Sequence, residues 1–350
     1  MRLRFQEISV PCITAAWYRF RFGTPVPPAN PRKITTVTCG LSDPSASLLN
    51  RDKVPGELLN FSEQRAGFEQ EYPFRSCWFR TSDGVQHYVD EGTGPVILMV
   101  HGNPTWSFAW RKLIVSLREN YRVIAIDHLG CGFSEKPQDK SAYTLEGHIR
   151  RLASLIQLLD LRDVSLVGHD WGGAIGMGAA GRLEQRFCRF VLMNTGAFHS
   201  RAIPLRISLC RIPILGEIGD RAMNLFARAA VTMAVETSLT PAARIGFLAP
   251  YDSWDHRIAV HEFVRDIPLS PTHRSHSTLT EVERSLEKFR TYPVQLIWGM
   301  KDWCFTPQEF LVGFQKRFPA ATVLRLPDAG HYVFEDAPEQ VLSQIRSFMS

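Results

Sequence analysis

The 350-residue chain has no run of 18 apolar residues; the segment from Ile203 to Ile218 is broken by Arg206, Arg211 and Glu217. A membrane-spanning helix needs about 20 such residues, so neither an integral-membrane protein nor a membrane partner is expected. No Cys-x-x-Cys occurs, and the seven cysteines (12, 39, 77, 131, 188, 210 and 304) are odd in number and widely separated. Zinc ribbons and redox pairs therefore have no support, and isolated thiols suggest a reducing, cytoplasmic compartment. The body of the chain also lacks an excess of either charge. Its net +5 traces to residues 1–33, where Arg2, Arg4, Arg19, Arg21, Arg32 and Lys33 face only Glu7. A nucleic-acid binder needs a basic face on its folded domain, so no such partner is expected. Met1-Arg-Leu-Arg is a basic start, but Pro11, Arg19 and Arg21 follow without a clear cleavage site, and no signal peptide is read. Gly130-Cys-Gly-Phe-Ser134 lacks the third glycine of a dinucleotide fingerprint. No cofactor is implied.

What is present is a globular mix, 45 % hydrophobic and 21 % charged. Residues 1–70, with Pro25, Pro27, Pro28, Pro31 and Pro44, suggest an irregular arm, partial disorder being one form of it. From about Tyr72 the pattern alternates. Pro95–Val100, Arg122–Asp127, Val164–Gly168, Phe190–Met193, Val294–Trp298 and Thr322–Leu326 are apolar runs of the kind that form strands buried on both faces. Amphipathic helices lie between several of them. Thr144 is a plausible N-cap for the stripe Leu145, Ile149, Leu152 and Ile156. Thr306-Pro-Gln-Glu309 reads as a capping box, and Asp336, Pro338 and Glu339 repeat its logic. Strands alternating with helices give an α/β fold with a mostly parallel central sheet covered on both faces. The alternation breaks once, between residues 196 and 289, where helices and proline-rich turns predict a helical cap. The core is then 71–195 with 290–350.

Gly168-His-Asp-Trp-Gly172 follows a buried strand and opens a helix of small residues. That is the form of a nucleophile elbow, here centred on Asp170 rather than serine. The plainer alternative is a tight turn whose Asp caps the helix. A carboxylate can displace a leaving group from saturated carbon and form an ester, which base-activated water then hydrolyses. His331, in Asp328-Ala-Gly-His331 after the last strand, is the candidate base. Asp302, after the strand ending at Trp298, is the candidate orienting acid; the other location, Asn194-Thr195-Gly196, offers none. Asn103, in His101-Gly-Asn-Pro-Thr105, and the Trp171 indole supply N–H donors for a departing anion. His256 with His261, and His273 with His276, have no ligand framework around them, so no metal site is expected.

The ordered set HGNPTW (101–106), DHLGCGFSEKP (127–137), GHDWGG (168–173), WGMKD (298–302) and DAGHYVFEDAP (328–338) resembles the α/β-hydrolase fold family. Within it, the resemblance is to the haloalkane dehalogenases that use an Asp–His–Asp triad with an Asn–Trp halide pair. It covers roughly residues 72–350 and implies Asp170 as nucleophile, His331 as base, Asp302 as orienter, and Asn103 with Trp171 as halide donors. The implied reaction is hydrolytic carbon–halogen cleavage, with a small halogenated substrate and water as partners and halide released. β-Lactone decarboxylases of olefin synthesis are similar as well, echoed in Asp127–Gly132 and Tyr251–Pro268, so a lactone yielding an alkene and carbon dioxide is the alternative. Epoxide hydrolases also resemble it, but they use two lid tyrosines and the insert holds only Tyr251. An apolar lid leaves homo-oligomerisation open.

Overall fold

The computed structural model describes residues 42–200 and 203–350. Its first elements lie where an irregular arm was expected. β1 (Ser47–Leu49) and α1 (Gly56–Glu63) precede residue 70, with Val54 and Phe68 buried, so the irregular reading does not extend that far. Residues 1–41 lie outside the described residues. Three residues are too few to show a period of two. β1 is defined instead by backbone pairing with β2 (Ser76–Thr81), which sets Leu48 opposite Phe79.

Seven further strands and the helices between them follow in chain order: β3 (Gly84–Glu91), β4 (Val96–Val100), α2 (Arg111–Leu117), β5 (Arg122–Ile126), α3 (Leu145–Leu158), β6 (Val164–Asp170), α4 (Trp171–Arg182) and β7 (Phe187–Thr195). An insertion then carries α5 (Leu205–Cys210), α6 (Leu215–Glu217), α7 (Leu225–Met233), α8 (Pro241–Leu248), α9 (Ile258–Arg265) and α10 (His276–Ser285). The chain returns to the sheet through β8 (Val294–Gly299), α11 (Val312–Arg317), β9 (Thr322–Leu326), α12 (Val333–Asp336) and α13 (Pro338–Met349). All six apolar runs are strands. They stand in the order β1-β2-β3-β5-β4-β6-β7-β8-β9, parallel from β5 onward and antiparallel before it. Helices cover both faces. Ile97, Leu98, Met99 and Val100 are wholly buried, and each such side chain contributes roughly 1.5–3 kcal/mol.

The order places the site. After β4 the chain goes to β5 on one side and then returns to β6 on the other, opening a crevice beyond the carboxyl ends of β4 and β6. Local signals hold unevenly. Thr144 Oγ1 accepts from the Gly147 N–H at 3.1 Å, as an N-cap should. The Thr306 box does not close: its hydroxyl caps nothing, and Glu309 accepts from the Ser200 hydroxyl at 2.8 Å. Asp336 is not a cap for α13 either, for reasons that belong to the site.

Candidate active site

Asp170 ends β6 with φ +53° and ψ −127°, a conformation costly for any residue but glycine. The sharp turn drives the first turn of α4 against the end of β4. A side chain on Gly172 would put its Cβ 1.9 Å from the Val100 carbonyl, so only glycine fits. Gly102 is constrained likewise, because a Cβ there would lie 1.9 Å from Asp170 Oδ1. The reward of that approach is one hydrogen bond. The Asn103 backbone N–H donates to Asp170 Oδ1 at 2.7 Å. Asp127, from the second motif, pins the same loop by accepting from the Ser107 N–H at 2.7 Å while it also takes His87 Nδ1 at 2.8 Å.

The three residues expected to form a triad come together from β6, from the loop after β8 and from the loop after β9. His331 Nδ1 lies 2.9 Å from Asp302 Oδ2, and His331 Nε2 lies 3.6 Å from Asp170 Oδ2. All three are buried. Burial alone would pull the His331 pKa down, but the Asp302 charge, the hydrogen bond to Asp302 and the nearby Asp170 carboxylate outweigh it and push it up to about 10. Burial raises the Asp302 carboxyl while the His331 charge and hydrogen bonds from His331, Asn194 and the Cys304 N–H lower it; the lowering wins. His169, beside this cation and buried, is pushed down to about 3, so its neutral Nε2–H donates to the His331 carbonyl at 2.9 Å.

Both expected anion donors reach the same cavity. Asn103 and Trp171 line it together with Asp170 and His331. The Asn103 side chain is fixed from the insertion, Nδ2 donating to the Val260 carbonyl of α9 at 3.0 Å, which leaves one N–H of that amide. Among the described residues the Trp171 indole N–H has no hydrogen-bond partner. The cavity measures about 530 Å³, and apolar side chains such as Ile207, Phe226, Met233 and Leu279 form most of its wall. Tyr251 is absent from that wall; it is buried elsewhere and donates to the Thr105 carbonyl. Of the insertion's histidines, His261 pairs with Asp220 at 2.9 Å and His256 with Asp252 at 2.6 Å, His273 Nε2 donates to the Arg265 carbonyl, and the His276 ring packs against that of His199 with centroids 4.2 Å apart.

Four supporting groups escape sequence reasoning. Asn194 Nδ2 donates to Asp302 Oδ2 at 2.7 Å, so the position without an acid orients the acid instead. The Cys304 and Phe305 N–H groups hold Oδ1 of Asp302 at 2.7 and 3.1 Å. The Phe305 ring stacks on His331 with centroids 5.6 Å apart. Asp336 accepts from the Gly330 N–H at 2.8 Å and from the Glu236 and Thr237 N–H groups, tying the His331 loop to the insertion. Asn194 left a trace in the sequence only as a position without an acid, and Asp336 only as an apparent helix cap.

A family model described as alpha/beta hydrolase fold matches residues 95–338. A cis-3-alkyl-4-alkyloxetan-2-one decarboxylase of Shewanella oneidensis is 39 % identical over 284 residues, covering 79 % of this chain and 89 % of the relative. Haloalkane dehalogenase 2 of Mycobacterium tuberculosis is 35 % identical over 280 residues, covering 79 % and 95 %. The crystal structure of haloalkane dehalogenase DatA from Agrobacterium tumefaciens C58 superposes with a TM-score of 0.71 at 25 % identity, over 78 % of this chain and 95 % of that one. The chain is therefore an enzyme-family member, belonging to the α/β-hydrolase fold family in the branch that holds the haloalkane dehalogenases and the oxetanone decarboxylases.

Proposed function

We propose that Asp170 attacks a saturated carbon bearing oxygen in a cis-3,4-dialkyl oxetan-2-one, a β-lactone, and that the products are an alkene and carbon dioxide. Its Oδ1 is occupied by the Asn103 N–H, so Oδ2 is the attacking atom. It bonds to the ring carbon that carries the ring oxygen. That carbon–oxygen bond breaks, and its electron pair leaves as a carboxylate, which the Asn103 amide and the Trp171 indole receive. The new ester bond stands opposite the carbon–carboxylate bond. Without rotation, the carboxylate's bonding pair becomes the double bond, Asp170 departs as carboxylate and carbon dioxide is released. Backside attack followed by this opposed fragmentation converts a cis lactone into a cis alkene. No water is consumed. A protonated His331 suits the last step, because a cation beside Asp170 stabilises the departing carboxylate.

The observation that carries this reading is the cavity. At about 530 Å³ it lies within the roughly 300–1,000 Å³ that enclose drug-sized ligands, far more than a short haloalkane fills. Two alkyl arms would occupy its apolar walls. The decarboxylases among the relatives point the same way.

Dehalogenation is the second reading, and the Asn103–Trp171 pair favours it, since two N–H donors at the nucleophile suit a halide equally well. There the alkyl-Asp170 ester is hydrolysed by water that His331 activates, giving alcohol, halide and a proton. Once Asp170 is esterified its charge no longer helps to hold the His331 proton, which moves His331 toward the range of a base while Asp302 still orients it. The insertion would then act as a lid that excludes bulk water.

The deciding experiment supplies a cis-dialkyl β-lactone and, separately, 1-bromobutane in water labelled with oxygen-18, followed by mass spectrometry of the Asp170 peptide. Alkene from the lactone with unlabelled Asp170 is the expected result. Bromide release with label entering Asp170, and no alkene, would overturn it in favour of dehalogenation.

A further inference from the structure

The insertion turns apolar side chains outward at a density found nowhere else among the described residues. Leu205 is 75 %, Ile214 74 % and Leu215 68 % exposed, and Leu209, Ile218 and Met223 are each about half exposed, all within residues 205–223. Proteins that stay in water scatter such residues singly; a contiguous group marks an interaction surface. Ile214 carries a second signal. Its φ is +67°, a left-handed conformation that glycine or asparagine adopts far more easily than a β-branched residue. The turn alone would not select isoleucine at that exposed tip.

The unpaired charges around the group are all positive. Within residues 203–230, Glu217 is engaged by Lys140 and Arg221, and Asp220 is buried against His261. Arg228 is exposed with no carboxylate partner among the described residues, Arg211 reaches the backbone carbonyls of Val264 and Arg265, and Arg206 is exposed at the cavity rim, over the Trp303 ring. The same helices wall the cavity from inside, through Ile207 and Cys210 of α5 and Phe226 and Ala229 of α7. Patch and cavity wall are two faces of one thin layer.

We propose that this face of the insertion docks on an anionic lipid surface, so that the cavity exchanges substrate and product with a membrane rather than with water. Apolar side chains of this kind bury at the boundary of headgroups and acyl chains, while nearby arginines meet the lipid phosphates. The inference rests on the reading that the cavity takes a dialkyl lactone, whose hydrocarbon product has little solubility in water. The expectation of no membrane partner came from the lack of a spanning segment, and lying on a surface needs none.

The test is flotation of the full chain with phosphatidylcholine vesicles containing phosphatidylglycerol, and with phosphatidylcholine alone. The protein is expected to float with the anionic vesicles and less so in high salt. Ile214→Ser combined with Leu215→Ser should lower partitioning about tenfold or more, because the buried apolar area sets the affinity. Neither residue lines the cavity, so turnover of a short-chain, water-soluble lactone should stay within about twofold of the parent. Absence of flotation, or equal flotation of parent and variant, overturns the proposal. So does a dimer by light scattering that the double variant converts to monomer while neither floats, since the patch is then a contact between copies. Flotation without lactone turnover supports docking and overturns the substrate reading alone.

Discussion

The loops that carry Asp170, Asn103, Asp302 and His331 and the helices of the insertion are built on opposite terms. In the loops the triad's acids are closely held: Asp302 alone accepts from His331, Asn194 and two backbone N–H groups. A buried carboxylate left unpaired there would cost several kcal/mol, so the geometry is held by many partners at once. The insertion has short helices, exposed aliphatic side chains and an isoleucine in a strained conformation. Its ties to the loops run mostly through its backbone: the carbonyls of Gly246, Val260, Met233 and Ala234 accept from Trp106, Asn103, Trp303 and Tyr332, and the N–H groups of Glu236 and Thr237 donate to Asp336. One region is arranged around charge, the other around the absence of water. Substitutions should separate them.

The largest effect is expected at the nucleophile. Asp170→Asn keeps the size of the side chain but removes the attacking charge, and turnover should fall by about 10⁴-fold or more with the fold intact by circular dichroism. A residual rate within about a hundredfold of the parent would break the claim that attack by Asp170 is the first step.

Asp302→Asn comes next and tests the charge arrangement directly. Asp302 is the largest of the influences that raise His331, so the His331 pKa should drop from about 10 toward its ordinary value, read by NMR. The rate should fall by about 10⁴-fold, as in other triads that lose the orienting charge. The linkage has a definite sign. A histidine whose folded pKa is raised contributes stability that is complete below about pH 6.5 and lost as pH rises through about 10. Urea denaturation across that window should show stability declining with pH in the parent and a flatter line in the variant. An equal slope in both would remove His331 from the account.

Asn194→Ala should have a smaller effect, since Asp302 keeps His331 and two N–H donors. A loss of about 1–3 kcal/mol in stability is expected from the unpaired carboxylate lone pair, with about a tenfold fall in kcat and KM unchanged. A change in KM alone would place Asn194 with substrate binding instead of positioning.

The contrast also explains what could be read from the sequence. Five of the core strands were legible because strands buried on both faces must be apolar throughout; β9, at the sheet edge with Thr322 and Arg325 exposed, does not meet that expectation and was legible only from Val323, Leu324 and Leu326. Asp170, Asp302 and His331 were legible because each stands at or just beyond the carboxyl end of a strand. Asn194 could be seen only as a position lacking an acid; that its amide turns toward Asp302 depends on β7 and β8 being neighbours, a fact of topology. Asp336 looked like a helix cap because Asp, Pro and Glu occur together, yet its carboxylate faces three N–H groups from two other segments. The capping box at Thr306 failed for a like reason, as Glu309 found Ser200 across the fold. β1 was illegible because pairing with β2, not side-chain pattern, defines it.

The smallest effect should come from Ile214→Gly, and it sharpens the comparison most. Relief of the positive φ should return roughly 1–3 kcal/mol. Glycine's greater freedom in the unfolded chain takes back about 0.5–1 kcal/mol. The side chain is largely exposed, so little packing is lost. The sum favours the variant slightly, a rise in Tm of about 1–4 °C for a chain of this size. A core substitution of the same kind would do the reverse, because removing a buried isoleucine leaves a cavity costing about 2–5 kcal/mol. Scanning calorimetry of the variant decides between them. A rise in Tm accompanied by weaker vesicle binding would mean that this position gives up stability to keep an apolar tip in place, which is how a docking surface differs from a core. A fall in Tm would mean that Ile214 packs against the protein, and the division drawn between the two regions would not hold at this residue.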